Sequence, residues 1–197
     1  MNIDVKRLNV TYNRRIVGFL VEVEPGRIVF QYDTEWVADG FSISPFSLPL
    51  SHQVFEAKSD LFDGLFGVFN DSLPDGWGAF VARKALSRKG IRYESLSPLS
   101  KLALLTDKGL GALGYEPTAA QVSEDEGISI EKLAEEVRRL LEERESDTDL
   151  DSLYTYGGAS GGARPKAHVL IDGEEWIVKF PATIDPVDIG ASEYKSN

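Results

Sequence analysis

Tyr156-Gly157-Gly158-Ala159-Ser160-Gly161-Gly162-Ala163-Arg164-Pro165-Lys166, followed by Trp176-Ile177-Val178-Lys179-Phe180, is the stretch on which the reading of this chain turns. Leu153 to Tyr156 reads as a strand, and the glycines after it as a tight turn. Ala167 to Ile171 reads as a second strand, Asp172-Gly173 as the hairpin turn that Asp-Gly signals, and Glu175 to Phe180 as a third strand. A helix is expected after Pro186. In the third strand Trp176, Val178 and Phe180 share one face, while Ile177 and Lys179 share the other. A lysine among large apolar neighbours either snorkels to water or meets an anion. Phosphates under a glycine loop would supply that anion, held by backbone N–H groups and a point charge.

Protein kinases use such an arrangement: a Gly-rich loop over ATP, a lysine on the third strand, and a glutamate on the next helix to hold that lysine. Glu193 lies on the expected helix at a suitable remove. No Gly-Lys-Ser/Thr occurs, so a Walker A loop is excluded. Order and spacing alone leave two readings open. Either the loop and Lys179 bind phosphates, or four glycines make a tight turn and Lys179 sits on a wet edge strand.

Working toward the N-terminus, Gln121 to Asp151 carries 12 acidic and 4 basic residues, a net of −8 in a chain whose total is −11. The acidity therefore belongs to one segment, and the whole is poorly suited to nonspecific binding of a phosphate backbone. Within the segment, Ile130, Leu133, Ala134, Val137, Leu140 and Leu141 define an amphipathic helix. Ser129 is placed to cap it, Glu131 stands in its first turn, and Glu135 and Arg139 pair at i,i+4. Gly109 to Gly114 matches G-x-G-x-x-G, but Pro117 follows at once and no helix opens there, so a dinucleotide fingerprint is rejected. A short strand, Ala112 to Glu116, is expected instead.

Trp77 to Lys89 reads as a helix ending at Gly90, with Arg83, Lys84, Arg88 and Lys89 exposed, and Pro98 to Leu105 as a short apolar helix. Leu61, Phe62, Leu65, Phe66 and Phe69 recur at three- and four-residue steps, which predicts another helix, weakened by Gly64 and Gly67. The first third is β-structure. A strand runs from Ile3 to Val10, a second from Ile16 to Val23 and a third from Arg27 to Tyr32, making an antiparallel meander with one buried face.

Composition limits the chemistry. With no Cys and only two His among 197 residues, disulfides, thiolate zinc sites and a cysteine nucleophile are excluded, and no metal-ligating residue is assigned. The absence of Cys suits a cytoplasmic location, and no apolar run is long enough to span a membrane.

Several motifs together resemble one family. The glycine stretch with Trp176 to Phe180 looks like the nucleotide-binding start of HipA-like toxin kinases. Phe69-Asn70-Asp71-Ser72-Leu73-Pro74-Asp75-Gly76 resembles the family's F-x-N-x-L-P-[ED]-G stretch, Gly111-Ala112-Leu113 its G-A-L turn, and Phe30-Gln31-Tyr32 its third strand. The resemblance implies an α+β protein: a β-rich subdomain with helices over residues 1–120, a linker carrying the acidic helix over 121–150, and the beginning of a protein-kinase-like N-lobe over 151–197. It implies a serine/threonine kinase of a bacterial type II toxin–antitoxin system. ATP would be bound by Gly157, Gly158, Ala159, Ser160, Gly161, Gly162 and Lys179, with Glu193 positioning the lysine and Ser160 as the autophosphorylation candidate. Two readings of Ser160 stay open: phosphorylated, it would mark an inactive state, or it is a small residue suited to a tight turn.

The expected partners are a HipB-like helix-turn-helix antitoxin, through which alone DNA would be met, and a protein substrate such as an aminoacyl-tRNA synthetase. The family's catalytic and magnesium-binding aspartates lie downstream of the lysine, and here they are expected beyond Asn197, which itself falls inside the helix expected after Pro186. The chain therefore reads as the N-terminal part of a longer kinase, with no catalytic residue of its own. The other reading is a non-catalytic, antitoxin-binding module in which the loop is only a turn.

Overall fold

A computed structural model describes residues 3–58, 61–105, 111–117, 128–142, 148–158, 161–182 and 185. They divide between two compact units. The first holds the described residues up to Leu73 and from Arg92 to Pro117; the second holds Pro74–Ile91 and the described residues from 128 onward. The division differs from the stretches expected from sequence, because residues 74–91 group with the second unit.

In the first unit β1 (Arg7–Tyr12), β2 (Arg15–Glu24) and β3 (Arg27–Tyr32) form the expected meander. Strand β1 begins at Arg7 rather than Ile3. Asn13 and Arg14, with φ of 48° and 63°, make the kind of tight turn whose twist matches its strands. β4 (Val54–Glu56) and β5 (Leu113–Glu116) extend the sheet to the antiparallel order β4-β3-β2-β1-β5. Register places Leu8 opposite Leu20, Leu20 opposite Phe30 and Phe30 opposite Phe55, so one apolar row crosses four strands.

Behind that row lie Trp36 of α1 (Thr34–Asp39), Phe69 of α2 (Gly67–Asn70), and Leu99 and Leu102 of α4 (Pro98–Ala103). Phe30 packs edge-on against Tyr32 and Phe66 and tilted against Phe69. Each such ring buried is worth roughly 1.5–3 kcal/mol. Asp33 caps α1 by accepting the Glu35 N–H at 2.9 Å, and Ser97 caps α4. The helix expected over Leu61 to Phe69 is absent: a 3-10 turn, Phe62–Gly64, precedes the four-residue α2. Gly64 sits at φ 83°, and a Cβ there would meet the Gly26 carbonyl at 2.7 Å. The turn therefore depends on glycine. The helical spacing of Leu65, Phe66 and Phe69 is that of an irregular chain dipping repeatedly into one core.

The second unit contains α3 (Gly76–Arg88), α5 (Ile130–Leu141), α6 (Leu150–Gly157) and a two-stranded sheet of β6 (Lys166–Ile171) and β7 (Glu174–Lys179). Trp77, Val81, Leu133, Val137, Leu140, Leu153, Ala167 and Phe180 share its core. Ser129 caps α5 and Glu135 pairs with Arg139 at 3.0 Å, both as expected. The strand expected over Leu153 to Tyr156 is instead the end of α6. Asp149 accepts the Ser152 N–H at 3.1 Å and starts a helix whose Leu150, Leu153 and Gly157 are buried at helical spacing. Its beginning falls at the end of the stretch over 121–150 that was expected to be a linker. A kinase loop joins two strands, whereas this loop follows a helix.

Candidate functional site

The hairpin β6–β7 turns at Asp172 and Gly173, with φ of 53° and 84°, as Asp-Gly dictates. Its register puts Lys166 directly opposite Lys179, with His168 opposite Ile177 next along the same face. Like charges opposed across a strand pair repel, so two cations at the end of the hairpin where the glycine loop arrives favour an anion beside them. Lys179 is exposed, while Val178 beside it is half-buried and Phe180 buried. The Lys166 ammonium donates to the Gly161 carbonyl, which brings that charge onto the loop itself.

Gly157 is the last residue of α6 and Gly158 its cap, and both are buried. A Cβ at Gly157 would stand 2.9 Å from the Lys166 carbonyl and 3.1 Å from Trp77 Nε1. Gly161 and Gly162 are exposed. Ala159 and Ser160 lie outside the described residues. So do Glu193 and Asn197, and with them the helix expected after Pro186 on which both were placed. The hairpin thus joins Lys179 to Gly161 and Gly162 through Lys166.

Two residues at this loop escaped the sequence reading as participants. Asp75, just before α3, accepts the Gly162 N–H. Trp77 donates its backbone N–H to the Gly162 carbonyl at 2.8 Å and its indole Nε1 to the Lys166 carbonyl at 3.1 Å. Lys166, part of the quoted glycine stretch, joins them there. The signal available was that both Pro74-Asp75-Gly76 and the glycine stretch carry the same resemblance. Arg164, at the loop's exit, is paired at 3.1 Å with the nearly buried carboxylate of Asp185, which also accepts the Ala182 N–H.

His168 has an Nδ1 atom that is buried without a hydrogen-bond partner among the described residues. Burial, and then the neighbouring Lys166, hold its imidazole below the ordinary range, against a weaker pull from Glu175. The basic face of α3 is engaged within the second unit: Lys89 meets Asp151 at 2.8 Å, Arg88 donates to the Thr148 carbonyl at 2.9 Å, and Lys84 lies over the Phe80 ring.

At the open end of the hairpin two opposed lysines thus stand beside the exposed Gly161 and Gly162. Among the described residues no cluster of three or more His, Asp or Glu could hold a metal, and no helix is long and apolar enough to cross a membrane.

The family description for the HipA N-terminal domain matches residues 8–116, more than half of the chain and nearly the whole span from β1 to β5. The chain belongs to the HipA family. No curated protein sequence matches it.

Proposed function

We propose that the protein is a serine/threonine protein kinase of the HipA-like toxin type, whose ATP phosphates are held by the glycine loop and Lys179. Support comes from the family match together with one geometric observation, the cross-strand opposition of Lys166 and Lys179 at the glycine loop. In this reading the loop amides and the two ammonium groups bind and orient the phosphates. Magnesium would supply charge neutralisation of the phosphates when bound, and neither its ligands nor the residue that orients the acceptor hydroxyl is assigned to this chain. Ser160 as an autophosphorylation site, Glu193 as the partner of Lys179, a HipB-like antitoxin as partner and an aminoacyl-tRNA synthetase as substrate class belong to the same reading.

The test is Lys179→Met in the full-length protein, which removes the charge and keeps the bulk. MgATP turnover should fall sharply with unchanged circular dichroism; unchanged turnover overturns the assignment. The 197-residue chain itself should transfer no phosphate. A second reading, an antitoxin-binding module whose loop is a turn, draws on the helix that precedes the loop. It predicts normal antitoxin binding and no affinity for MgATP in the full-length protein.

A further inference from the structure

Gly161 and Gly162 share one peptide group, and a charged side chain holds each of its poles. Its carbonyl accepts from the Lys166 ammonium and its N–H donates to the Asp75 carboxylate. A cation at the oxygen and an anion at the N–H form the stronger, charge-assisted kind of hydrogen bond at both ends. The following carbonyl, that of Gly162, is fixed by the Trp77 N–H at 2.8 Å. The exit of the loop is thereby held on three successive polar groups.

Asp75 departs from local rules to do this. It stands at the N-cap position of α3 with extended backbone, φ −118°, where an aspartate ordinarily accepts an amide of its own first turn. It makes no such bond, whereas Ser129 and Asp149 do cap their helices. Gly76 has φ 43°, and a Cβ there would run into the Gly162 carbonyl. A Cβ at Gly161 would lie 3.1 Å from Asp75 Oδ1. The helix start thus gives up a cap and uses a left-handed glycine, both to bring Asp75 against the loop. Broken local rules of this kind mark functional positions.

We propose that Asp75 is a positioning residue for the phosphate-binding loop, fixing the Gly161–Gly162 peptide before a nucleotide arrives. The proposal rests on the nucleotide reading above. Glycine loses more conformational freedom on ordering than any other residue, and Gly162, at φ 80°, flanks a peptide that turns over readily. A loop ordered in advance leaves less entropy to be lost on binding, so affinity rises without any contact between Asp75 and the ligand. A carboxylate has nothing to offer a phosphate directly, and its charge here is answered by Lys166 at the opposite pole of the peptide.

The test compares Asp75→Ala and Asp75→Asn with the unmodified full-length protein. Hydrogen exchange at the Gly162 amide is read by NMR without nucleotide, and MgATP affinity by calorimetry. Asp75→Ala should lose protection at Gly162 and bind MgATP roughly tenfold more weakly, the loss expected when a binding loop is no longer ordered in advance. Asp75→Asn keeps an acceptor oxygen and should retain both properties within about threefold, as a neutral acceptor still holds the amide. Should the alanine variant not fold, Asp75→Ser carries the test, since a serine can cap α3 but reaches one bond less far toward Gly162. Lost protection with unchanged or increased MgATP affinity overturns the positioning role and leaves the nucleotide reading standing. Failure of the unmodified protein to bind MgATP overturns the nucleotide reading and the positioning role with it; protection at Gly162 that depends on Asp75 would then mark the contact as structural.

Discussion

The two units reach stability by different means. In the first, a five-stranded sheet buries one apolar row against rings and leucines from short helices, and its centre is almost wholly hydrocarbon: Leu8, Leu20, Ile28, Phe30 and Phe69 are completely inaccessible. In the second, only two strands are present among the described residues, and helices supply most of the core. Leu170, Trp176 and Ile177 of the hairpin remain about half or more exposed. Directional polar contacts do there what packing does in the first unit. Asp75, Trp77 and Lys166 hold the loop, and the nearly buried carboxylate of Glu136 accepts the Asp149 N–H at 2.8 Å at the start of α6. A hydrocarbon core tolerates inexact geometry, while hydrogen bonds fix direction. The second kind of construction suits a loop whose backbone has to point somewhere in particular.

The comparison can be broken most forcefully at Phe30. Phe30→Ala deletes a ring touching Tyr32, Phe66 and Phe69, and should cost about 3–5 kcal/mol in denaturant unfolding, with faster amide exchange throughout β1–β3. A cost below about 1 kcal/mol, the range of a well-tolerated core swap, would show that the row is not what holds its sheet together.

Gly157→Ala comes next. Alanine is the better helix former by about 1 kcal/mol, yet its Cβ would crowd the Lys166 carbonyl and Trp77 Nε1. Overpacking of this kind costs about 1–3 kcal/mol, so net destabilisation is expected; a stabilised variant would mean that the glycine serves the loop's freedom rather than close packing.

A smaller effect attaches to pH. The His168 imidazole has a folded pKa below its unfolded value of about 6.5, so the unfolded chain takes the proton first. The stabilisation from keeping His168 neutral is complete above that value and is lost as pH falls through the folded pKa. His168→Gln should therefore flatten the decline in stability on acidification just below pH 6.5 (roughly, from the ordinary imidazole value) and leave stability above it little changed. An identical slope in the variant would contradict the burial of Nδ1.

The smallest effect belongs to Glu135, whose pKa is pulled down to about 2, first by its hydrogen bond with Arg138 and then by Arg139 against the opposing effect of burial. Exposed ion pairs contribute little in physiological salt. Glu135→Gln should leave the unfolding midpoint unchanged within error, and a clear shift would mean that α5 depends on its outer face.

Much of the first unit was legible in its sequence because alternation over β1, β2 and β3 is a signal of period two that burial enforces directly. The six-residue α1 and three-residue β4 were not, being too short for any period to declare itself. Leu61 to Phe69 misled for a physical reason: apolar spacing reports which residues turn inward, and an irregular chain can turn the same ones inward. In the second unit, α3, α5 and the hairpin turn followed from caps, stripes and Asp-Gly. Leu153 to Tyr156 was misread because a four-residue window cut away the helix start at Asp149. Lys179 was singled out by alternation within its own strand, and its role belongs to the proposal. Asp75 could not be, since its partner Gly162 lies 87 residues away and no local pattern links them.

The pairing of Arg164 with Asp185 has a consequence for how the hairpin comes apart. With the Phe180 N–H on the Pro165 carbonyl at 2.8 Å, it closes residues 164–185 into a ring sealed at the base of β6 and β7. Hairpins ordinarily fray from their open ends. Here the open ends are the sealed ones, so the cheapest fluctuation moves to the other pole, where Ile171 and Glu174 face each other just before the Asp172-Gly173 bend. The strand pair should breathe from its tip inward, and Lys166 and Lys179, next to the seal, should be the last opposed residues to part.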